Sequence, residues 1–205
     1  RGVARVAPEA DSAASGVEDR GPGIRCTVHC RGDALGDVRI RLPGRHNVLN
    51  ALATIAVTRE LNVPFADTAA AMESFLGIER RFESKGEIAG ISVFDDYAHH
   101  PAEIRATLAS ARAFHRGRVV VAFQPPRYSR TPDLWEDFVS AVNGADFLVM
   151  TEMYAAGEEK IPGIESAPLV EAIRAHGHRN AHFVGDLDAV VERLLAELES
   201  GDLVL

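Results

Sequence analysis

Three apolar runs in this 205-residue chain each end in polar residues able to bind or move charge. They are ISVFDDYAHHP, with Asp95, Asp96, Tyr97, His99 and His100; VVVAFQPPRYSR, with Arg127 and Arg130; and FLVMTEMYAAGEEK, with an acidic tail. Guanidinium groups offer bidentate donors matched to carboxylate or phosphate oxygens. Arg127 and Arg130 lie three apart, and Thr131-Pro132-Asp133 then opens a helix whose first N–H groups would add to an anion trap. Taken alone they are either that trap or two solvated surface charges. Their place just after the run ending at Phe123 favours the trap.

In DDYAHHP, Asp95 and Asp96 can accept hydrogen bonds from ribose hydroxyls or ligate a cation, while His99 and His100 can polarise or bind an anionic group. One histidine could instead cap or pack, and Pro101 suits the first turn of a helix. A dinuclear metal reading lacks an HxH or a further carboxylate-histidine pair. GRHNVLNA places His46, Asn47 and Asn50 in the entry turn of a helix. Asn47 and Asn50 share a face suited to the donor-and-acceptor edge of a nucleobase, or Asn47 is a plain N-cap. Glu79-Arg80-Arg81-Phe82 stands where the pattern of the chain changes. An arginine there either bridges a ligand or is a surface charge.

The elements that must hold these residues alternate regularly from 81 onward. A hairpin (82–88 and 91–95 around Ala89-Gly90) precedes helices at 102–114, 134–142, 167–176 and 187–198, interleaved with strands at 119–123, 147–151, 181–184 and 203–205. Such alternation predicts βαβ crossovers and a doubly wound, mostly parallel sheet. Ligands bind outside the carboxyl ends of such strands, so the acidic-histidine turn and the paired-guanidinium turn are expected side by side on one rim.

The first 80 residues read differently. Residues 7–23 are rich in Gly, Pro and acids and read as a surface loop or poorly ordered insertion. Strands follow at 24–30 and 37–42, the second with Val38, Ile40 and Leu42 on one face. A helix at 48–61 is apolar at Leu49, Leu52, Ile55, Ala56 and Leu61, and a helix at 66–76 is expected to be capped by Asp67 and stopped by Gly77. These elements are not expected to close a core of their own.

Composition excludes several classes. A net charge of -8 and a pI near 5.5 argue against a nonspecific nucleic-acid binder. No run of eighteen apolar residues and no signal-type opening is present, so a cytoplasmic protein that does not enter membranes is expected. Cys26 and Cys30 would lie about 13 Å apart along one strand, too far to bridge, and are expected to be reduced and structural. The last apolar strand stops at Leu205, which suggests truncation of a longer polypeptide.

GRHNVLNA, RRFE, DDYAHHPAEI, FQPPRYSRT and TEMYAAGE, in this order and spacing, resemble the Mur ligase family, which adds amino acids to peptidoglycan precursors. Within it they resemble the branch that joins L-alanine to UDP-N-acetylmuramate and the branch that recycles murein tripeptide. The likeness covers nearly all of 39–205 and is weak before 37. It implies a three-domain cytoplasmic ligase. Residues 1–79 would be the C-terminal part of its central ATP-binding domain, and 80–205 its C-terminal Rossmann-like α/β domain. The remaining domains would be partners in the same enzyme. ATP and Mg2+ are the implied cofactors, with Mg2+ held mainly by residues upstream and no metal ligand here. The family's GxxGKT phosphate loop is absent from the 205 residues, which are therefore expected to be inactive alone.

By the same resemblance, ATP activates the muramoyl carboxylate as an acyl-phosphate that the alanine amine attacks, a reaction governed by positioning and charge neutralisation. His46 and Asn50 would contact adenine, Arg81 the nucleotide and Asp96 the ribose. Tyr97, His99, Arg127 and Arg130 would line the alanine and muramoyl pocket, with His99, Arg127 and Arg130 as catalytic residues. Pro126 departs from the QPHRY of relatives and removes a polar contact from the amino-acid pocket. A stand-alone nucleotide- or amino-acid-binding module is the competing expectation, and a metal hydrolase built on DDYAHHP a third.

Overall fold

Ile24, Cys26 and Val28 alternate with wetter neighbours, the period of a strand with one covered face. In the computed structural model, which describes residues 11–19 and 23–205, they sit in the middle of a three-stranded antiparallel sheet: β1 (Ser12–Asp19), β2 (Ile24–Cys30) and β3 (Asp33–Ile40). Helices α1 (Arg45–Glu60) and α2 (Phe65–Ser74) complete the first of two compact units, Arg1–Glu79.

This unit corrects several expectations. The 7–23 segment contributes β1, paired to β2 from Ser12↔Cys30 to Asp19↔Ile24, with Ala14 buried; residues 7–10 and 20–22 lie outside the described residues. The added strand lets the unit build its own core: Ala14, Ile24, Cys26, Val28, Val38, Ile40, Val48, Ala51, Leu52 and Ile55 form one buried cluster. On α1 the buried stripe is Val48, Ala51, Leu52 and Ile55, whereas Leu49, Ala56 and Leu61 are exposed. A helix lays only one stripe on a sheet, and this one carries two. Asp67 does not cap α2, whose N-cap is Pro64, and the helix ends at Ser74 with Phe75 as its C-cap, before Gly77 is reached.

The second unit, Arg80–Leu205, is a six-stranded sheet with helices on both faces. β4 (Glu83–Ile88) and β5 (Ile91–Asp95) form the expected hairpin, turning on Ala89 and Gly90 at φ 53° and 77°, the pair of left-handed residues that two-residue hairpins favour. Then come α3 (Pro101–Phe114), β6 (Val119–Phe123), α4 (Trp135–Ala141), β7 (Phe147–Thr151), α5 (Ser166–Ala175), β8 (Ala181–Gly185), α6 (Leu187–Glu197) and β9 (Leu203–Val204). Strand order is β4-β5-β9-β6-β7-β8, with β4 alone antiparallel. Strand alternation divides the core. Val119, Val121, Phe123, Leu148 and Met150 pack with α3, α4 and α5, while Val120, Phe147, Val149 and Val204 pack with Val190 of α6.

The last strand is therefore threaded between β5 and β6. Leu203 pairs with both Ser92 and Val119, and Val204 with both Val93 and Val120. At its foot, the buried Asp202 accepts from Arg118 Nε at 2.9 Å and Nη2 at 2.8 Å, and from the Glu199 N–H at 2.8 Å. This pair joins the starts of β6 and β9. Hydrogen bonds from Arg118 chiefly, and from the Glu199 N–H, hold the Asp202 carboxyl below the usual carboxylate range against the opposing effect of burial. Such a group contributes stability above its ordinary value of about 3.9 and loses it as pH falls through the lower folded value.

Arg118→Ala should cost about 2–4 kcal/mol, towards the lower end because the guanidinium is partly solvated. Urea unfolding followed at Trp135, the single tryptophan, measures it. Below about pH 4 the wild type should lose stability more steeply than Asp202→Asn; parallel pH profiles would count against the pair.

Candidate functional site

β5 ends at Asp95, and the chain must fold back at once to enter α3. Asp96 makes that turn: its Oδ1 accepts the N–H of Ala98 at 2.7 Å, an Asx-turn, and its Oδ2 accepts the N–H of Phe82 at 2.8 Å. The Tyr97 N–H donates to the Arg80 carbonyl at 2.7 Å. The segment entering β4 is thus tied to the segment leaving β5. Arg80 and Phe82 have φ of 58° and 49°, a conformation costly for large L side chains. Contacts of the Phe82 ring with Phe94 (4.8 Å between centroids) and Phe114 (5.9 Å) help to offset that cost. The Arg80 and Arg81 guanidiniums lie 4.8 and 5.9 Å from the Tyr97 ring centre.

His100 has a structural task. It is the N-cap of α3, accepting the Ala102 N–H at Nδ1, while Glu103 Oε2 accepts the N–H groups of His99 and His100 at 3.1 and 3.2 Å, a capping box with histidine in the cap position. Burial works to raise the Glu103 carboxyl. The two N–H groups, with His99 and Arg81 nearby, outweigh it and hold the group below its usual range. His99 Nδ1 lies 3.0 Å from the Tyr97 carbonyl. A carbonyl can only accept, so the bond requires the proton on Nδ1 and leaves Nε2 as the acceptor of a neutral ring.

After β6, Pro125 and Pro126 are both buried, so Pro126 serves packing. The chain then makes a 3₁₀ turn, Tyr128–Arg130, anchored by two residues with almost no exposure, Tyr128 and Thr131. Thr131 Oγ1 donates to the Arg127 carbonyl at 3.2 Å. With Tyr128 and Thr131 turned inward, Arg127 is left half-buried and Arg130 exposed. The loop after β7 leans on this turn. The Tyr154 N–H donates to Pro125 O at 3.0 Å, and Glu158 accepts the Ser129 N–H at 3.0 Å and the Ser129 hydroxyl at 2.8 Å.

Since β5, β9, β6 and β7 are parallel, Asp96, Tyr97, His99, Arg127 and Arg130 all follow carboxyl ends on one rim. They are not on neighbouring strands: β9 intervenes, a lateral separation of about 10 Å at two strand spacings. Arg81 joins the Asp96 cluster, pairing with Glu103 at 3.5 Å. His46 and Asn50 belong to the first unit, in the opening turns of α1, where Asn50 donates to Asn47 Oδ1 at 3.2 Å and Asn47 donates to Pro43 O at 2.7 Å. Asn47 is not the N-cap, which is Gly44. Among the described residues no three His, Cys, Asp or Glu side chains converge as a metal site. Two residues of the rim, Glu103 and Glu158, lie in motifs that the sequence reading quoted but were given no role there. The x-x-Glu spacing after His100 was the readable signal for Glu103. Glu158 had only the Ala-Gly dipeptide before it, a turn signal that names no partner.

The family profile described as "Mur ligase, glutamate ligase domain" matches residues 80–205. The chain belongs to the Mur ligase family. Among curated Mur ligases, the UDP-N-acetylmuramate-L-alanine ligase of Geotalea uraniireducens is 47% identical over 200 residues, covering 98% of this chain and 44% of that protein. The enzyme of the same name from Syntrophotalea carbinolica is 51% identical over 179 residues, 87% of this chain and 39% of that one. The crystal structure of the UDP-N-acetylmuramate-alanine ligase of Thermotoga maritima matches with a TM-score of 0.79 at 28% identity, over 95% of this chain and 41% of that one. The chain thus spans about two fifths of the length of these Mur ligases.

Asp96→Ala would free the Phe82 and Ala98 N–H groups at once, at a cost of about 1–3 kcal/mol. Hydrogen exchange at those two amides should accelerate while the amides of β7 keep their protection. Unchanged exchange at both would show that Asp96 does not hold the two turns together.

Proposed function

We propose that this chain forms the amino-acid-binding end and part of the nucleotide-binding end of an ADP-forming ligase that joins L-alanine to UDP-N-acetylmuramate in peptidoglycan precursor synthesis. The observation that carries this reading is the presence, in a Mur ligase chain, of the Arg127–Arg130 pair and the Asp96-Tyr97-His99 turn on one rim of a parallel sheet.

Joining a carboxylate to an amine requires a leaving group on the acyl carbon, and bound ATP would supply it as a phosphoryl group. The work of these residues is orientation and charge compensation. Arg127 and Arg130, held outward by buried Tyr128 and Thr131, are suited to the alanine carboxylate. His99, with Nε2 as acceptor, is suited to receive a proton from the alanine ammonium, and half-exposed Tyr97 beside it to line the muramoyl side. His46 and Asn50 are assigned to adenine, Arg81 and Asp96 to the nucleotide's ribose and phosphate side. Both Asp96 oxygens already accept one N–H each, so a ribose would use their remaining lone pairs. No residue of this chain is assigned to Mg2+, which in this reading would be held mainly by residues upstream.

We assign Arg1–Glu79 to the C-terminal part of a central ATP-binding domain and Arg80–Leu205 to the C-terminal domain of the ligase. The second apolar stripe of α1, with Leu49, Val57 and Leu61 exposed, supports burial of the first unit against further chain. No helix among the described residues is long and apolar enough to cross a membrane. A cytoplasmic setting agrees with the use of ATP.

The test is phosphate release by the full-length gene product with ATP and UDP-N-acetylmuramate, comparing L-alanine with murein tripeptide as the amine substrate. Alanine-dependent release is expected; a tripeptide preference would move the protein to the recycling branch. Arg127→Ala and Arg130→Ala should each lower alanine-dependent kcat/KM by about 10–100-fold, the loss of one charge-assisted contact, with little change in thermal midpoint. Unfolding in step with the activity loss would argue against the subsite.

A further inference from the structure

Glu158 is a residue of the rim that the proposed chemistry leaves without a task, although it is tied into the arginine turn by two hydrogen bonds. It is delivered by a tight turn, Ala155 to Glu158, closed by a hydrogen bond from the Glu158 N–H to Ala155 O at 2.9 Å. The two central residues, Ala156 and Gly157, have φ of 50° and 84°. A left-handed alanine is unfavourable and persists where the surroundings demand the turn. The turn brings the carboxylate against the loop leaving the neighbouring strand. One oxygen takes the Ser129 N–H, inside the 3₁₀ turn that Arg127 caps and Arg130 ends, and the other takes the Ser129 hydroxyl. Arg127 Nη1 stands 3.7 Å away, beyond a hydrogen bond but within reach of the charge. The Ser129 N–H and hydroxyl, more than the two arginines, keep the carboxyl ionised below its usual range.

We propose that Glu158 is a positioning residue of the amino-acid subsite, fixing from the loop after β7 the 3₁₀ turn that aims Arg127 and Arg130 at the carboxylate of the incoming amino acid. This rests on the ligase reading above and deepens it. Two guanidiniums three residues apart, one on the N-cap of a 3₁₀ turn and one at its end, repel each other and their long side chains are costly to order. A negative charge bonded to the backbone between them lowers the first cost, and the cross-loop bonds confine the turn itself. Because its oxygens are engaged by Ser129, Glu158 acts on the substrate through the turn.

The full-length protein with Glu158→Gln, Glu158→Ala, Ser129→Ala and the double variant Glu158→Ala/Ser129→Ala would be assayed by phosphate release, with Glu171→Gln on α5 as control. Glu158→Ala should raise the KM for L-alanine about tenfold or more, with kcat, the KM for ATP and the thermal midpoint nearly unchanged. Glu158→Gln, which keeps one accepting oxygen, should fall between. The double variant should be no worse than Glu158→Ala alone, because the hydroxyl that Ser129→Ala removes is bonded to Glu158. An unmoved KM for L-alanine in an active background overturns the proposal. So does a uniform loss in all parameters accompanied by a lower thermal midpoint, which would mark Glu158 as merely structural. A wild type with no alanine-dependent release overturns the ligase reading, and this inference with it.

Discussion

The insertion of β9 between β5 and β6 is the constraint on which the second unit depends. Until Leu203 and Val204 enter, β5 has β4 as its sole neighbour and β6 has only β7, so the sheet is two separate pieces. The inserted residues are almost wholly buried, which supplies the apolar driving force. The bidentate Arg118–Asp202 pair at their foot sets where the strand begins, and with it the side chains that face α6 rather than α5. A one-residue slip would exchange those faces. The distance between the acidic-histidine turn and the arginine turn follows directly, since the width of one strand separates them.

Above that sheet the rim is built by carboxylates acting as backbone acceptors. Parallel strands leave their carboxyl ends without hairpins, so each loop must be tied by other means. Asp96 ties the segment entering β4 to the turn after β5, Glu103 closes the first turn of α3, and Glu158 holds the turn after β6 from the loop after β7. In each case a carboxyl oxygen takes N–H groups that no ladder or helix satisfies. The cationic and imidazole groups are thereby left on a surface whose backbone is already committed. Such pre-organisation is what the orientation chemistry proposed above would require.

The second unit was largely legible in the sequence. Its strands are short apolar runs between helical periods, and the observed β5, β6 and β7 coincide with the expected 91–95, 119–123 and 147–151. The first unit was less so. Ser12–Asp19 carries a glycine, two acids and few apolar side chains, so its pattern reads as a loop; it is a strand because β2 offers a ladder to pair with. On α1, periodicity counted apolar residues on two stripes, and only contact with the sheet selects Val48, Ala51, Leu52 and Ile55 over Leu49 and Leu61. Cys26 is a core residue of that sheet, its thiol pushed up to about 11 by burial first and by Asp37; Cys30 is free as well.

By itself the sequence determined the alternation of strands and helices, the carboxyl-end placement of the DDYAHHP and PPRYSR clusters, and through those motifs the Mur ligase family. These depend on local period and on residue type, which a linear chain displays. Only the tertiary structure decided that β9 stands between the two clusters, that His100 caps a helix while His99 keeps a nitrogen to offer, and that Glu158 reaches Ser129, 29 residues earlier. Strand order and cross-loop hydrogen bonds join residues far apart in the chain. No local pattern encodes which distant partner will satisfy a given N–H, because that choice belongs to the packing of the whole sheet.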